Sequence, residues 1–337
     1  MANKKINARD IPETDEEKKL PKDLEVQYFT NRRSQSLRTV TMRARGENAS
    51  SPKARVVFIT GLTDHCTRNG YVYMYESLAS AGADVHSIDL HGQGRSEGLP
   101  RSYCNKFDDH VDDAEEFVAK CRAGDDGKAP LIIMGQSMGA LIAAHTALRL
   151  GNENVAGLVA TSPAFGVVYD FVKKVQLKAV PVLDALMPKA KMVDAVRAED
   201  LTRNKEEVEI NKVDPLIVHG KTPVRTGRVI VNAMKDLKEK RSEIKCPVLL
   251  LHGTKDMITC VDSCVDFYKN VGTPKEKKCF LRCPGVYHEL YNEPEKDIMV
   301  GEIVKFAVSG GTELPDKKDA DADGIVALDF SSFNSSS

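Results

Sequence analysis

An excess of charge of either sign is missing from this chain: 48 Lys and Arg stand against 49 Asp and Glu, a formal net charge of -1. Because acids and bases are interspersed, there is no electrostatic footprint for nucleic acid. Long apolar runs are missing too. None approaches the roughly 20 residues that a bilayer core demands, which excludes a transmembrane helix. The first residues, Met1-Ala2-Asn3-Lys4-Lys5-Ile6-Asn7, lead into charged sequence and not into an apolar signal region, so a cytoplasmic protein is expected. The 8 cysteines lack the spacing of a disulfide framework and fit reduced thiols. Cys260/Cys264 and Cys279/Cys283 match no zinc knuckle and read as packing residues.

What is present centres on Leu131-Ile132-Ile133-Met134-Gly135-Gln136-Ser137-Met138-Gly139-Ala140. An apolar run with the look of a buried strand ends in Gly-x-Ser-x-Gly, and an Ala-rich helical pattern follows at once. That order describes a nucleophile elbow, a turn so sharp that its central hydroxyl is lifted clear of neighbouring side chains. A serine-capped Gly-rich turn is the plainer reading of the pentapeptide taken alone.

Around it, strands and helices alternate. Residues 1–22 are charged and punctuated by Pro12 and Pro21, and read as a flexible leader. Alternating patterns over Leu24 to Thr30 and Leu37 to Arg45 predict a hairpin. Buried-type strands are expected at Arg55 to Thr60, Asp84 to Asp89, Val155 to Thr161, Cys246 to Gly253 and Lys278 to Arg282. Helices are expected at Tyr71 to Ala81, through Val111 and Phe117, and from Glu295 to Val308. This alternation predicts an α/β fold, a mostly parallel sheet covered by helices on both faces. The core is read as 23–162 and 241–310. Residues 163–240, helix-like and divided by five prolines, read as an inserted helical cap, and 311–337 as a disordered tail.

Three motifs fail on inspection. Gly92-x-Gly94 follows a strand, but Glu97 stands where a dinucleotide fingerprint needs its third glycine. Asp319-x-Asp321-x-Asp323-Gly324 opens like a calcium loop, yet Phe330 occupies the bidentate glutamate position. His288-Glu289-Leu290-Tyr291-Asn292 lacks the second histidine of a zinc helix. No cofactor and no metal are expected.

A serine hydroxyl needs a base within hydrogen-bond reach and an acid to orient that base. In α/β-hydrolases they follow in the order Ser, acid, His. Asp256, three residues past the end of a strand, is the candidate acid. Of the histidines after Ser137, His145 lies on the next helix, His219 in the insertion, and His252 at a strand end only four residues before Asp256. His288, in a loop at the same sheet edge, remains as the candidate base. The oxyanion donors expected of this fold are the backbone N–H of Met138 and that of Leu62.

Taken together, Gly61-Leu62-Thr63-Asp64-His65, Asp89-x-x-Gly92-x-Gly94-x-Ser96, the elbow, Gly253-x-x-Asp256 and Tyr287-His288 resemble the monoacylglycerol lipase family of serine hydrolases. The cap segments Leu201-Thr202-Arg203-Asn204-Lys205-x-x-Val208 and Asp214-Pro215-Leu216 sharpen that resemblance. It implies hydrolysis of a monoacylglycerol to fatty acid and glycerol by Ser137, Asp256 and His288, with Asp64 and Arg68 in the polar end of the pocket. Three positions depart from the family pattern: Thr60 replaces a His, and Asn211 and Tyr291 replace a Tyr and a His of the glycerol region. A lysophospholipase or general carboxylesterase fits the same motifs, and so does a hydrolase fold reused as a receptor. Phe171 to Leu183 mixes aliphatics with Lys173, Lys174 and Lys178, the composition of a helix that seeks a lipid surface or packs on the core. The expected partner is thus a lipid ester, with peripheral contact to membranes or lipid droplets through the cap.

Overall fold

The computed structural model describes residues 8–123, 128–166, 181–193, 196–331 and 333. Nine strands form one sheet: β1 Leu24–Thr30, β2 Ser36–Met42, β3 Ala54–Ile59, β4 Ala83–Ile88, β5 Leu131–Gln136, β6 Gly157–Thr161, β9 Val248–Gly253, β10 Lys278–Cys283 and β11 Val326–Ala327. Their spatial order is β1-β2-β4-β3-β5-β6-β9-β10-β11. From β4 onward every neighbouring pair is parallel, while β1 and β2 form an antiparallel hairpin joined to β4. Between β6 and β9 the chain leaves this sheet and makes a separate antiparallel ladder of β7 Lys191–Val193 and β8 Thr222–Pro223.

Period-2 alternation within buried strands builds two cores, one on each face. Val57, Ile59, Ile133, Leu158 and Leu250 point to one side, where α3 Phe107–Arg122, α4 Met138–Leu150, α6 Val224–Lys240 and α7 Val261–Asn270 cover them. Val56, Phe58, Ile132, Met134, Val159, Leu249 and Leu251 point to the other, under α2 Asn69–Ser80 and α8 Lys296–Val308. The remaining helices are the four-residue α1 Asp15–Lys18 and, in the insertion, α5 Lys205–Val213, whose Asn204 cap accepts from Glu206 N. Residues 181–186 are also helical. Cys264, Cys279 and Cys283 are buried, Cys260 is partly so, and all eight thiols are free.

Two expectations need correction. The leader is docked from residue 8 on: Thr14 and Glu17 form a reciprocal capping box, and Glu17 is buried against Arg38 at 2.9 Å and Arg95 at 2.5 Å. The tail is ordered where it is described. Ile325 and Val326 are buried, β11 adds to the sheet beside β10, and Leu328 N–H donates to Arg282 O. Composition missed both segments because each is held by two or three anchors and not by a periodic apolar face. The lipid-seeking stretch expected at 171–183 lies outside the described residues except for its last three. No described helix is long and apolar enough to cross a membrane.

Glu17 is the anchor that a substitution can test. Burial alone would push its carboxyl up, but the Arg95 hydrogen bonds, the Thr14 N–H and the Arg38 charge hold it at about 2. A folded value below the unfolded one means stability that is present above about pH 4.5 and lost as pH falls toward 2. Glu17→Gln, which leaves the Arg38 guanidinium buried without its nearest carboxylate, is expected to cost about 3 kcal/mol in urea unfolding at pH 7. That loss should shrink at pH 3.

Candidate active site

Because β3, β5, β9 and β10 run parallel, the loops leaving their C-terminal ends share one edge of the sheet. Such an edge, where strand order reverses between β3 and β5, is where α/β sheets build sites. The elbow after β5 holds Ser137 at φ 55° and ψ -120°, a region that costs an L-residue of order 1–3 kcal/mol. Its N–H donates to Thr161 O at 3.0 Å, and its carbonyl accepts from Ala164 N at 3.0 Å. A Cβ on Gly135 would sit 2.3 Å from the Gly139 carbonyl carbon, and one on Gly139 only 2.0 Å from Ile59 O. Both positions require glycine.

Asp256, in the loop after β9, is fixed before it meets its partner. Its Oδ1 accepts from the N–H groups of Ile258 at 2.8 Å and Thr259 at 3.0 Å. Its Oδ2 faces Nδ1 of His288 at 2.8 Å, and the Thr259 hydroxyl donates to the same oxygen at 2.6 Å. Burial would raise the Asp256 carboxyl, but the His288 charge and the hydrogen bonds of His252 and His288 hold it well below the usual carboxylate range. In turn burial would lower the His288 imidazole, and the Asp256 carboxylate outweighs it and holds the ring above its ordinary value. With Nδ1 turned to the carboxylate, Nε2 is left as the basic nitrogen. The Gln136 side-chain amide donates to His288 O at 2.9 Å, which ties the histidine loop to the residue preceding Ser137.

Gly61 lies against the elbow as well: a Cβ there would be 3.5 Å from the Ser137 Cβ. Leu62 N–H therefore leaves a turn beside the nucleophile. Met138 opens α4, so its N–H is among those that a helix leaves without an intrahelical acceptor. Asp64 and Arg68, expected at the polar end of the pocket, meet each other in company that sequence reading missed. The Arg68 guanidinium is buried and bidentate to Glu289, at 3.2 and 2.9 Å, with Asp64 Oδ1 at 3.3 Å. Tyr71 donates to Asp64 Oδ2 at 2.5 Å and Asn292 to Glu289 Oε2 at 2.7 Å. Glu289 adjoins His288 in the motif rejected as a zinc site, and the sequence pattern assigns it no other role. Tyr291 turns into the core, its hydroxyl 3.0 Å from Thr161 Oγ1, and Asn211 is buried on α5.

The insertion grips both catalytic-edge loops. Asp214 takes His65 Nε2 at 2.8 Å, Val218 N donates to Thr63 O, and Glu289 N donates to Leu201 O. The Arg203 backbone N–H adds a bond to Glu293 at 2.7 Å. Elsewhere, His91, Cys104 and His110 bring one donor atom each within 4.8 Å of one another, the one such trio among the described residues. Its thiol donates to Lys106 O, and Arg33 faces His91 while pairing with Asp113, which disfavours a cation.

A nucleophile elbow, a carboxylate-paired histidine and a parallel sheet define the α/β-hydrolase class. Residues 50–295 match the family described as "Serine aminopeptidase, S33", and the chain belongs to that family. Among its relatives, a monoacylglycerol lipase of Mycolicibacterium smegmatis is 29% identical over 260 residues, 77% of this chain and 90% of that one. A phospholipase of Bacillus subtilis is 26% identical over 250 residues, 74% of this chain and 93% of that one. A soluble variant of the Saccharomyces cerevisiae monoglyceride lipase, solved with a substrate analogue, superposes with a TM-score of 0.76. It is 18% identical, with 87% of this chain and 97% of that one covered, a likeness of fold.

Removing Arg68 while leaving Glu289 and Asp64 buried strands two carboxylates. Arg68→Met is expected to cost about 3–5 kcal/mol in denaturant unfolding. Arg68→Lys should recover only part of it, because an ammonium cannot reproduce the bidentate fork.

Proposed function

We propose that the chain is a serine esterase that hydrolyses monoacylglycerols to free fatty acid and glycerol. Ser137 Oγ attacks the ester carbonyl while His288 takes its proton, and Asp256 holds the imidazole in the required tautomer. The oxyanion is received by the backbone N–H groups of Leu62 and Met138. The protonated His288 then gives its proton to the departing glycerol oxygen, leaving an acyl-serine. Water, deprotonated by the same ring, releases the fatty acid and restores the hydroxyl. The observation that carries the reading is the 2.8 Å bond between His288 and Asp256 at the edge where the strained Ser137 stands.

Asp64 and Arg68, with Glu289, supply the polar wall facing the glycerol end, and residues 163–240 act as the cap over the acyl end. Val182, Leu186, Met187 and Met192 in that segment are exposed aliphatics. They favour peripheral contact of a cytoplasmic enzyme with membranes or lipid droplets, where its substrate resides. The kinship to a phospholipase gives a second reading, hydrolysis of lysophospholipids by the same triad.

Turnover of a 1-monoacylglycerol is expected to exceed that of lysophosphatidylcholine with the same acyl chain, and Ser137→Ala should fall to background while remaining folded. Faster release from the choline ester would overturn the head-group assignment. Since His288 must be neutral to accept a proton and its value is raised, the acid limb of kcat/KM should lie above about pH 6.5. A limb near pH 5 contradicts the assigned base.

A further inference from the structure

A second imidazole meets the same carboxylate oxygen. His252, the penultimate residue of β9, is fully buried, and its Nε2 lies 3.1 Å from Asp256 Oδ2 and 3.2 Å from Thr259 Oγ1. Its Nδ1 has no hydrogen-bond partner among the described residues. The tautomer follows from that environment. A hydrogen on Nδ1 would be a buried donor left unsatisfied, and it would turn the Nε2 lone pair against a carboxylate. A hydrogen on Nε2 points at Oδ2 and at the Thr259 hydroxyl oxygen, whose own hydrogen goes to Oδ2 at 2.6 Å. Oδ2 therefore receives three donors, from His288, Thr259 and His252, while Oδ1 receives two backbone N–H groups.

We propose that His252 is a positioning residue for the reaction, a neutral Nε2–H donor that fixes Asp256 Oδ2 and limits how much of its charge reaches His288. The inference rests on the assignment of Ser137, Asp256 and His288 given above. Each donor on a carboxylate disperses its charge and stabilises the ionised form. With fewer donors the carboxylate holds the imidazolium of His288 more tightly. The base then stays protonated to higher pH and returns its proton less readily. Asp256, Glu289 and Asp64 are the acids acting on His288. Around His252 stand Asp256, Thr259 and the Cys283 thiol, the last against its backbone.

The test compares full-length wild type, His252→Leu and His252→Gln on a monoacylglycerol from pH 5 to 9. His252→Leu is expected to lower kcat about tenfold with little change in KM, and to raise the acid limb by roughly half a unit or more. His252→Gln, whose amide also presents an N–H, should return the limb to the wild-type position and recover most of kcat. Should His252→Leu not fold, His252→Asn takes its place; its amide is too short to reach Oδ2 and should give the same rise. Equal losses in all variants with an unmoved limb would assign His252 to packing alone, and a wild-type profile in His252→Leu would also overturn the proposal. Failure of the triad itself shows separately: Ser137 in wild type would then not be labelled by a fluorophosphonate.

Discussion

The close crossing of three backbone segments at Gly135, Gly139 and Ile59 is the constraint on which the site depends. The elbow can be sharp only because α4 passes within van der Waals distance of β5 and of the carbonyl end of β3, with no Cβ between them. That contact sets where Ser137 stands relative to Gly61 and Leu62. It also explains why the strain at Ser137 persists: Thr161 O, Ala164 N and the first turn of α4 hold the residue on three sides. Sheet, elbow and the turn at Gly61 and Leu62 are thus packed as one object.

Electrostatics at the edge follow a second rule, that a buried carboxylate is met by an opposite charge or by N–H donors. Asp256 has His288, and Arg68 has Glu289 and Asp64. Asp89 has the Cys66 and Arg95 N–H groups, and Glu17 has Arg38 and Arg95. The last two sets share Arg95, so the leader is coupled through Asp89 to the loop that carries Asp64. A charge placed in this region without its partner would cost several kcal/mol.

Much of this was legible before any coordinates. The strand-to-loop pattern alone placed Ser137, Asp256 and His288 at one edge, because a parallel sheet turns sequence order into spatial order. What was not legible depends on contacts across long separations. Glu289 reads as a failed zinc motif until Arg68, 221 positions away, is seen against it. His252 reads as a strand terminus until its ring meets Oδ2. The leader and tail have the composition of solvated chain, and Ala8, Ile11 and Glu17 at one end and Ile325 and Val326 at the other reveal that they are held. Local pattern predicts elements; it says nothing of which polar side chain satisfies which.

The insertion shows how binding and chemistry are joined. Its two motifs, around Leu201 to Arg203 and around Asp214 to Leu216, bond to the loops of the core. The first receives Glu289 N–H and holds the chain that follows His288; the second clamps His65 and Thr63, just beyond Leu62. One inserted segment therefore bears at once on the loop of His288 and on the loop from Leu62 to His65. Any displacement of that segment must strain or break Asp214–His65 or Leu201–Glu289 before it can open.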